Sequence, residues 1–374
     1  MDILSVREEF PIKRKRVYLN NASIGPLSNP VISAVDAFMA DVRDNGRNNY
    51  PQWCERADHI INNRIADMIG AKKSEIAFIK NTTEGILIVA NGIDWQPGDN
   101  VIIADIEYPS NVYCWMNLKK RGVQIRWIRG REGRFTADDI EVLIDRHTRL
   151  VSLSAVQFSN GFRLDLEKVG ELCHARQVLL NLDAIQLLGA LHLDVSRYHI
   201  DFLSAGGHKW LMAPIGTGIF YCRQNSLAQL HPTNVGYHSV DKSEDDINYD
   251  LTFKPHAGRF EEAIVNFPGI WGLDAAVDMI TRIGTRRIEE HILKLTRLAH
   301  EGLKPRNYQV VSSFEDTERS GIFCFRHPSL PTQQIFERLQ DANIHLAIRA
   351  GALRMSPSFY NDEDEVNAML AALP

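Results

Sequence analysis

Asp183-Ala184-Ile185-Gln186 and Ser204-Ala205-Gly206-Gly207-His208-Lys209-Trp210 are the two stretches on which the reading of the fold turns. Each follows an apolar run, Val178-Leu179-Leu180-Asn181-Leu182 before the first and Phe202-Leu203 before the second. A carboxylate at the end of so apolar a strand needs a partner. A lysine in an apolar neighbourhood is disfavoured as a cation, and its amine becomes nucleophilic. The small residues ahead of Lys209 let backbone approach a ligand closely. Taken singly, each has an ordinary explanation: Asp183 as a helix cap, Lys209 as a surface lysine.

The alternation continues on both sides. Apolar runs at 75–79, 101–104, 123–128, 150–154, 178–182, 202–203 and 218–221 read as strands. Helical periodicity fills several of the gaps, at 83–90, 111–120, 137–145 and 166–175. Buried strands alternating with amphipathic helices predict an α/β fold with a mainly parallel, seven-stranded sheet between helices. Residues 223–258, with the acidic Glu244-Asp245-Asp246, read as irregular. One long helix is expected over about 269–302, then strands at 309–311 and 321–325 and helices at 332–339 and 363–373. This predicts a large domain over 15–255 and a small α+β domain over 256–374, with residues 1–14 packing on the latter.

In an open α/β sheet, ligands bind beyond the carboxyl ends of the strands. Five such ends carry suitable groups. Asn81-Thr82-Thr83-Glu84-Gly85 opens a helix with hydroxyls and free N–H groups, which suits a phosphate or is an ordinary cap. Tyr108, in Glu107-Tyr108-Pro109-Ser110-Asn111, offers a face for stacking on a planar ring. Asn160, in Gln157-Phe158-Ser159-Asn160-Gly161, can donate to a phenolic oxygen or hold a turn. Asp183 can pair with a pyridinium N–H, which keeps the ring able to accept electrons from a substrate α-carbon. His208 can reach a phosphate, and Lys209 can form a Schiff base. Together they point to pyridoxal 5'-phosphate (PLP).

From Tyr18-Leu19-Asn20-Asn21-Ala22 to Arg354-Met355-Ser356 the chain resembles the class V aminotransferase family of fold type I PLP enzymes, which includes cysteine desulfurases, C–S lyases and epimerase-like proteins. Asp183-x-x-Gln186 and Gly207-His208-Lys209-Trp210-Leu211 are the most specific pieces. The resemblance implies Lys209 as the Schiff-base lysine and α-carbon base, and Asp183 as partner of the ring nitrogen. It implies Gln186 and Asn160 near the phenolic oxygen, and Thr83 and His208, with Glu84 beside them, at the phosphate. Arg354 matches the carboxylate-binding arginine, a planar fork suited to that task, and the loop bearing Asn21 and Ala22 lies by the substrate. A homodimer is implied as well.

Four departures stand out. The ring-stacking position, often histidine in the family, is Tyr108. A phosphate-binding serine of desulfurases is Gly206, and a cross-subunit Gly-Thr is Ala263-Ile264. Between His345 and Arg354 there is no cysteine, so the persulfide route is not expected. Amino-group transfer is the leading expectation, with β-elimination of a cysteine-type substrate and epimerisation as alternatives. A PLP-binding scaffold or sensor is the non-enzymatic alternative, and the intact Lys209, Asp183, Gln186 and Arg354 speak against it.

Bulk properties agree. A net charge of −5 argues against nucleic acid as a main partner. The first ten residues do not read as a signal peptide, and no run is apolar enough to span a membrane. Five scattered cysteines, with no CxxC, fit a reducing cytoplasm and no metal site.

Overall fold

The computed structural model describes residues 3–241 and 249–374. The acidic Glu244-Asp245-Asp246 therefore lies outside the described residues. After a short strand β1 (Val17–Tyr18) come the seven strands of the large sheet: β2 (Ile76–Ile79), β3 (Asn100–Ala104), β4 (Gln124–Ile128), β5 (Thr148–Ser154), β6 (Leu179–Asp183), β7 (Phe202–Gly206) and β8 (Gly218–Cys222). Their order is β2-β8-β7-β6-β5-β3-β4. Only β8 runs against its neighbours β7 and β2. The carboxyl ends of the other six share one edge.

The pleat sends successive side chains to opposite faces of the sheet. Phe78, Ile102, Val151, Leu180 and Leu203 enter one core, with the helices Asn29–Asn45, Leu166–Ala175 and Phe267–Ile283. Ala77, Val101, Ile103, Leu150 and Phe202 enter the other, beneath the helices Thr82–Gly92 and Ser110–Asn117. Each such Leu, Ile or Phe contributes roughly 1.5–3 kcal/mol by leaving water, and burial on both faces makes the strands continuously apolar.

A second sheet, ordered β12-β13-β10-β9, contains β9 (Gln309–Val310), β10 (Phe323–Arg326), β12 (Ala347–Arg349) and β13 (Ala352–Met355). Strand β11 (Ile344–His345) pairs in parallel with β1. A third core, including Leu19, Leu295, Phe323, Leu339, Leu353 and Val366, sits behind these strands. The amino-terminal segment is tied to the carboxyl-terminal one: Phe10 stacks on Tyr360 at 4.4 Å, and Arg7 pairs with Asp362 at 3.0 Å and Glu365 at 2.7 Å.

The long helix expected near 269–302 is two helices, Phe267–Ile283 and Thr285–Leu303. Gly284 separates them at φ +95°, outside any helical conformation. The helices Asn29–Asn45 and Tyr50–Ile60 and the β12–β13 hairpin carried no decisive signal in the sequence.

Gly189 locks the lysine-bearing loop. Its φ is +92°, and a Cβ there would lie 2.4 Å from the Trp210 carbonyl oxygen. Gly189→Ala is therefore expected to cost about 2–4 kcal/mol through strain and overpacking, measured by urea unfolding.

Candidate active site

The carboxyl ends of the parallel strands form the floor of a cavity of about 460 Å³, lined among others by Thr82, Thr83, Tyr108, Asp183, Gln186, His208, Lys209 and Arg354. Asp183 closes β6 in register with Ser154 on β5 and Ser204 on β7. It is 3% exposed and accepts one hydrogen bond, from the Ile185 N–H at 3.0 Å. Burial pushes its carboxyl up to about 6; the Lys209 charge opposes this and Glu107 adds to it. Lys209 responds in the opposite sense. Desolvation pulls its amine down to about 8, against the pull of Asp183 and with help from Arg354 and Arg349. Lys209 Nζ lies 5.7 Å from the centre of the Tyr108 ring.

The lysine backbone is clamped from two sides. Gly25 N–H donates to the His208 carbonyl at 2.9 Å, and Trp210 Nε1 donates to Gln186 Oε1 at 2.8 Å. Gln186 Nε2 in turn donates to the Ala22 carbonyl at 3.1 Å. Gln186 thus ties the lysine loop to the 20–25 loop, with one amide N–H left over.

The helix Thr82–Gly92 begins beside this cavity, capped by Asn81, whose side chain accepts from the Glu84 N–H at 2.9 Å. Thr82 Oγ1 accepts from Gly206 N–H at 2.9 Å, which leaves its own hydroxyl proton free to donate. Thr83 Oγ1 donates to Ser110 Oγ at 2.9 Å. A Cβ on Gly206 would approach the His208 ring to 3.2 Å, so this ring fills the space beside the glycine.

Arg354 on β13 is 1% exposed. Nη1 donates to the Phe158 carbonyl and Nη2 to Ser23 Oγ, both at 2.8 Å, while its buried Nε has no partner. Desolvation brings its pKa down to about 10.

Three expected residues do not bring their side chains to the cavity. Asn160 Nδ2 donates to the Gly133 carbonyl at 2.8 Å and its Oδ1 accepts from Phe162 N–H at 3.0 Å, so the amide is spent holding the turn. Glu84 turns to Lys80, which it meets at 3.0 Å. Asn21 donates to the Ser356 carbonyl at 2.9 Å and accepts from Tyr360 Oη at 3.0 Å, so the loop faces the cavity through Ala22 and Ser23 instead.

Sequence reading missed Ser23, Ser110 and Glu107. Glu107, buried and without a salt-bridge partner among the described residues, accepts from Asn111 Nδ2 at 2.9 Å, Ser154 N–H at 2.9 Å, Ser154 Oγ at 2.5 Å and Gln157 Nε2 at 2.6 Å. Burial pushes its carboxyl up. This network anchors the segment carrying Tyr108, which is 45% exposed and meets Phe158 edge-on at 5.1 Å. Only the position of Glu107, directly before Tyr108, hinted at it.

The donor set fits a phosphorylated pyridine aldehyde. Asp183 is a buried acceptor lacking a hydrogen-bonded cation, Lys209 is a desolvated amine, and a helix N-terminus with hydroxyls lies close by.

The comparisons converge on one group of proteins. The family model "Aminotransferase class-V" matches residues 17–369. A probable cysteine desulfurase of Methanothermobacter thermautotrophicus is 32% identical, over 97% of this chain and 95% of the relative. One of Pyrococcus abyssi is 29% identical, over 98% and 96%. The apo structure of a cysteine desulfurase from Thermococcus onnurineus NA1 superposes with a TM-score of 0.88 at 28% identity, covering 98% of this chain and 96% of that one. With the Asp183–Lys209 cavity at the strand ends and this match along nearly its whole length, the chain belongs to the class V aminotransferase family of fold type I, PLP-dependent enzymes.

Proposed function

We propose that the protein is a carbon–sulfur lyase that acts by β-elimination on a cysteine-type amino acid without forming an enzyme-bound persulfide. One observation carries this reading: no cysteine lines the active cavity, in a chain whose relatives are named cysteine desulfurases. The same relatives favour carbon–sulfur cleavage over the amino-group transfer expected from the residues. Cys324 lies on β10, donates to the Ser159 carbonyl at 3.2 Å, and has its thiol pushed up to about 12 by burial. Cys54 is exposed on the helix Tyr50–Ile60, on a different cavity.

In this reading Lys209 would hold the cofactor covalently and, once released, act as base. Asp183 would accept from the ring nitrogen, Tyr108 would face the ring, and Thr82, Thr83 and His208 would hold the phosphate. Arg354 takes the substrate α-carboxylate. When bound, PLP supplies an electron sink for the charge released at the α-carbon. The Lys209 amine, with its lowered pKa, is available near neutral pH to take the α-proton. The Cα–H and Cβ–S bonds break, a Cα=Cβ bond forms, and hydrolysis yields ammonia and pyruvate beside the sulfur fragment. We place the enzyme in a reducing compartment, which its five free cysteines support, and expect a homodimer. Ile24 and Ile215 line the cavity yet are 48% and 70% exposed, which supports a partner surface there.

Two tests bear on this reading. With cystine or cysteine as substrate, holoenzyme is expected to release pyruvate, ammonia and sulfide or persulfide in step. Cys54→Ser and Cys324→Ser each keep at least about half the turnover, whereas Lys209→Ala loses it and the visible absorbance band. Conversion to alanine that stops with Cys54→Ser sinks the lyase mechanism. The second test uses the apoprotein. The Asp183 pKa is raised on folding, so between about pH 4 and 6 the folded chain keeps a proton that the unfolded chain has released. Stability falls as pH rises through that window. Asp183→Asn removes this effect. It should match wild type near pH 4 and exceed it by about 2–3 kcal/mol above pH 6, read from urea melts; a pH-independent difference contradicts the assignment.

A further inference from the structure

We propose that Trp210 is a positioning residue: its indole N–H orients the Gln186 amide so that Gln186 presents an N–H, and not its carbonyl oxygen, to the phenolic oxygen of the cofactor. This role depends on the PLP cofactor and not on the lyase reading.

A glutamine amide can sit either way round, with its oxygen or its nitrogen toward a given neighbour. At Gln186 the neighbours decide. An indole Nε1–H only donates, and a backbone carbonyl only accepts. Trp210 Nε1 donates to Gln186 Oε1 at 2.8 Å, and Gln186 Nε2 donates to the Ala22 carbonyl at 3.1 Å. Turning the amide over would set donor against donor and acceptor against acceptor. Both Gln186 and Trp210 are buried, where a polar group left unpaired is costly. Nε2 carries two N–H groups, and Ala22 takes one. Gln186 lines the cavity beside Asp183 and Lys209, so the second N–H is available to a cofactor there.

The covalent structure of PLP says where such a donor is needed. On its pyridine ring the phenolic oxygen stands between the nitrogen, which is the partner of Asp183, and the carbon that Lys209 takes. It lies on the side away from the phosphate arm. Gln186 follows Asp183 by three residues and is tied through Trp210 to the residue after Lys209. Its spare N–H therefore serves that edge of the ring.

Trp210 is held too firmly to swing away. Its carbonyl abuts Gly189, and the far edge of its indole abuts Gly321, where a Cβ would lie 2.7 Å from Cη2. Gly321 stands two residues before β10, so the second sheet backs the indole that sets the amide.

The visible band of the holoenzyme, followed against pH, tests this. The band titrates as the nitrogen joining Lys209 to the cofactor loses its proton, which leaves the phenolate bare. A donor on that oxygen favours the bare form, so the Gln186 N–H lowers the titration pH. Gln186→Ala is expected to raise it by about one unit. Trp210→Phe is expected to raise it by about half a unit or more, because the amide is then held by Ala22 alone. The Trp210→Phe effect should vanish in the Gln186→Ala background, as for a residue that acts through another. Benzothienylalanine at position 210 keeps the indole's shape and puts sulfur in place of the N–H. It should reproduce the Trp210→Phe shift, and it carries the test if Trp210→Phe does not fold. An unshifted band in the position-210 variants, or a shift that persists in the Gln186→Ala background, overturns the proposal. A wild type with no visible band after PLP is added overturns the cofactor assignment and the proposal with it. The shifts are independent of which substrate bond is then broken, so they stand even if no carbon–sulfur bond is cleaved.

Discussion

A buried carboxylate and a desolvated amine held in one cavity without touching govern the rest of this structure. Asp183 has one backbone N–H for company, Lys209 has a tyrosine face, and no salt bridge joins the two among the described residues. Desolvation moves both groups toward their neutral forms. A pair collapsed into a salt bridge would have a saturated acceptor and a protonated amine, neither of use to a cofactor. The surrounding elements keep them apart: Gly189 presses on the Trp210 carbonyl, Gln186 grips the Trp210 indole, and Gly25 holds the His208 carbonyl.

Glu107 shows the contrasting way to bury a carboxylate. It is buried like Asp183, but four donor contacts from Asn111, Ser154 and Gln157 satisfy it. Such a network fixes the loop around it, because any shift leaves a polar group unpaired in a low dielectric. The sheet therefore ends in two acids of opposite character, one closed and structural, one open toward the cavity.

The strands, the helix N-terminus at Thr82 and the lysine loop were legible in the sequence because burial on both faces leaves continuous apolar runs. Asp183 and Lys209 were readable from their joint placement at the ends of apolar strands, and Arg354 from the family resemblance alone. Asn160, Glu84 and Asn21 turn their side chains to other partners for a common reason. A polar side chain at a loop or helix start has backbone and neighbours within reach, and here Gly133, Lys80 and Ser356 claim them. Ser23 and Arg349 were illegible because they reach the cavity through contacts between segments distant in sequence. Cys324 falls in the strand expected over 321–325, and the fold buries it with its thiol donating to the Ser159 carbonyl.

The pairing of residues 19–23 with residues 345–356 has a consequence for folding. Leu19 N–H bonds to the His345 carbonyl, Asn21 N–H to that of Ser356, and Ser23 holds Arg354. The wall of the cavity formed by residues 19–23 is thus completed by residues 331 positions further along the chain, as in the Ser23–Arg354 contact. The large sheet can form from contacts nearer in sequence, but the loop over Lys209 has nothing to lean on until those distant partners are in place. The pocket is consequently among the last parts of the fold to close, because its wall depends on the contacts of longest sequence separation.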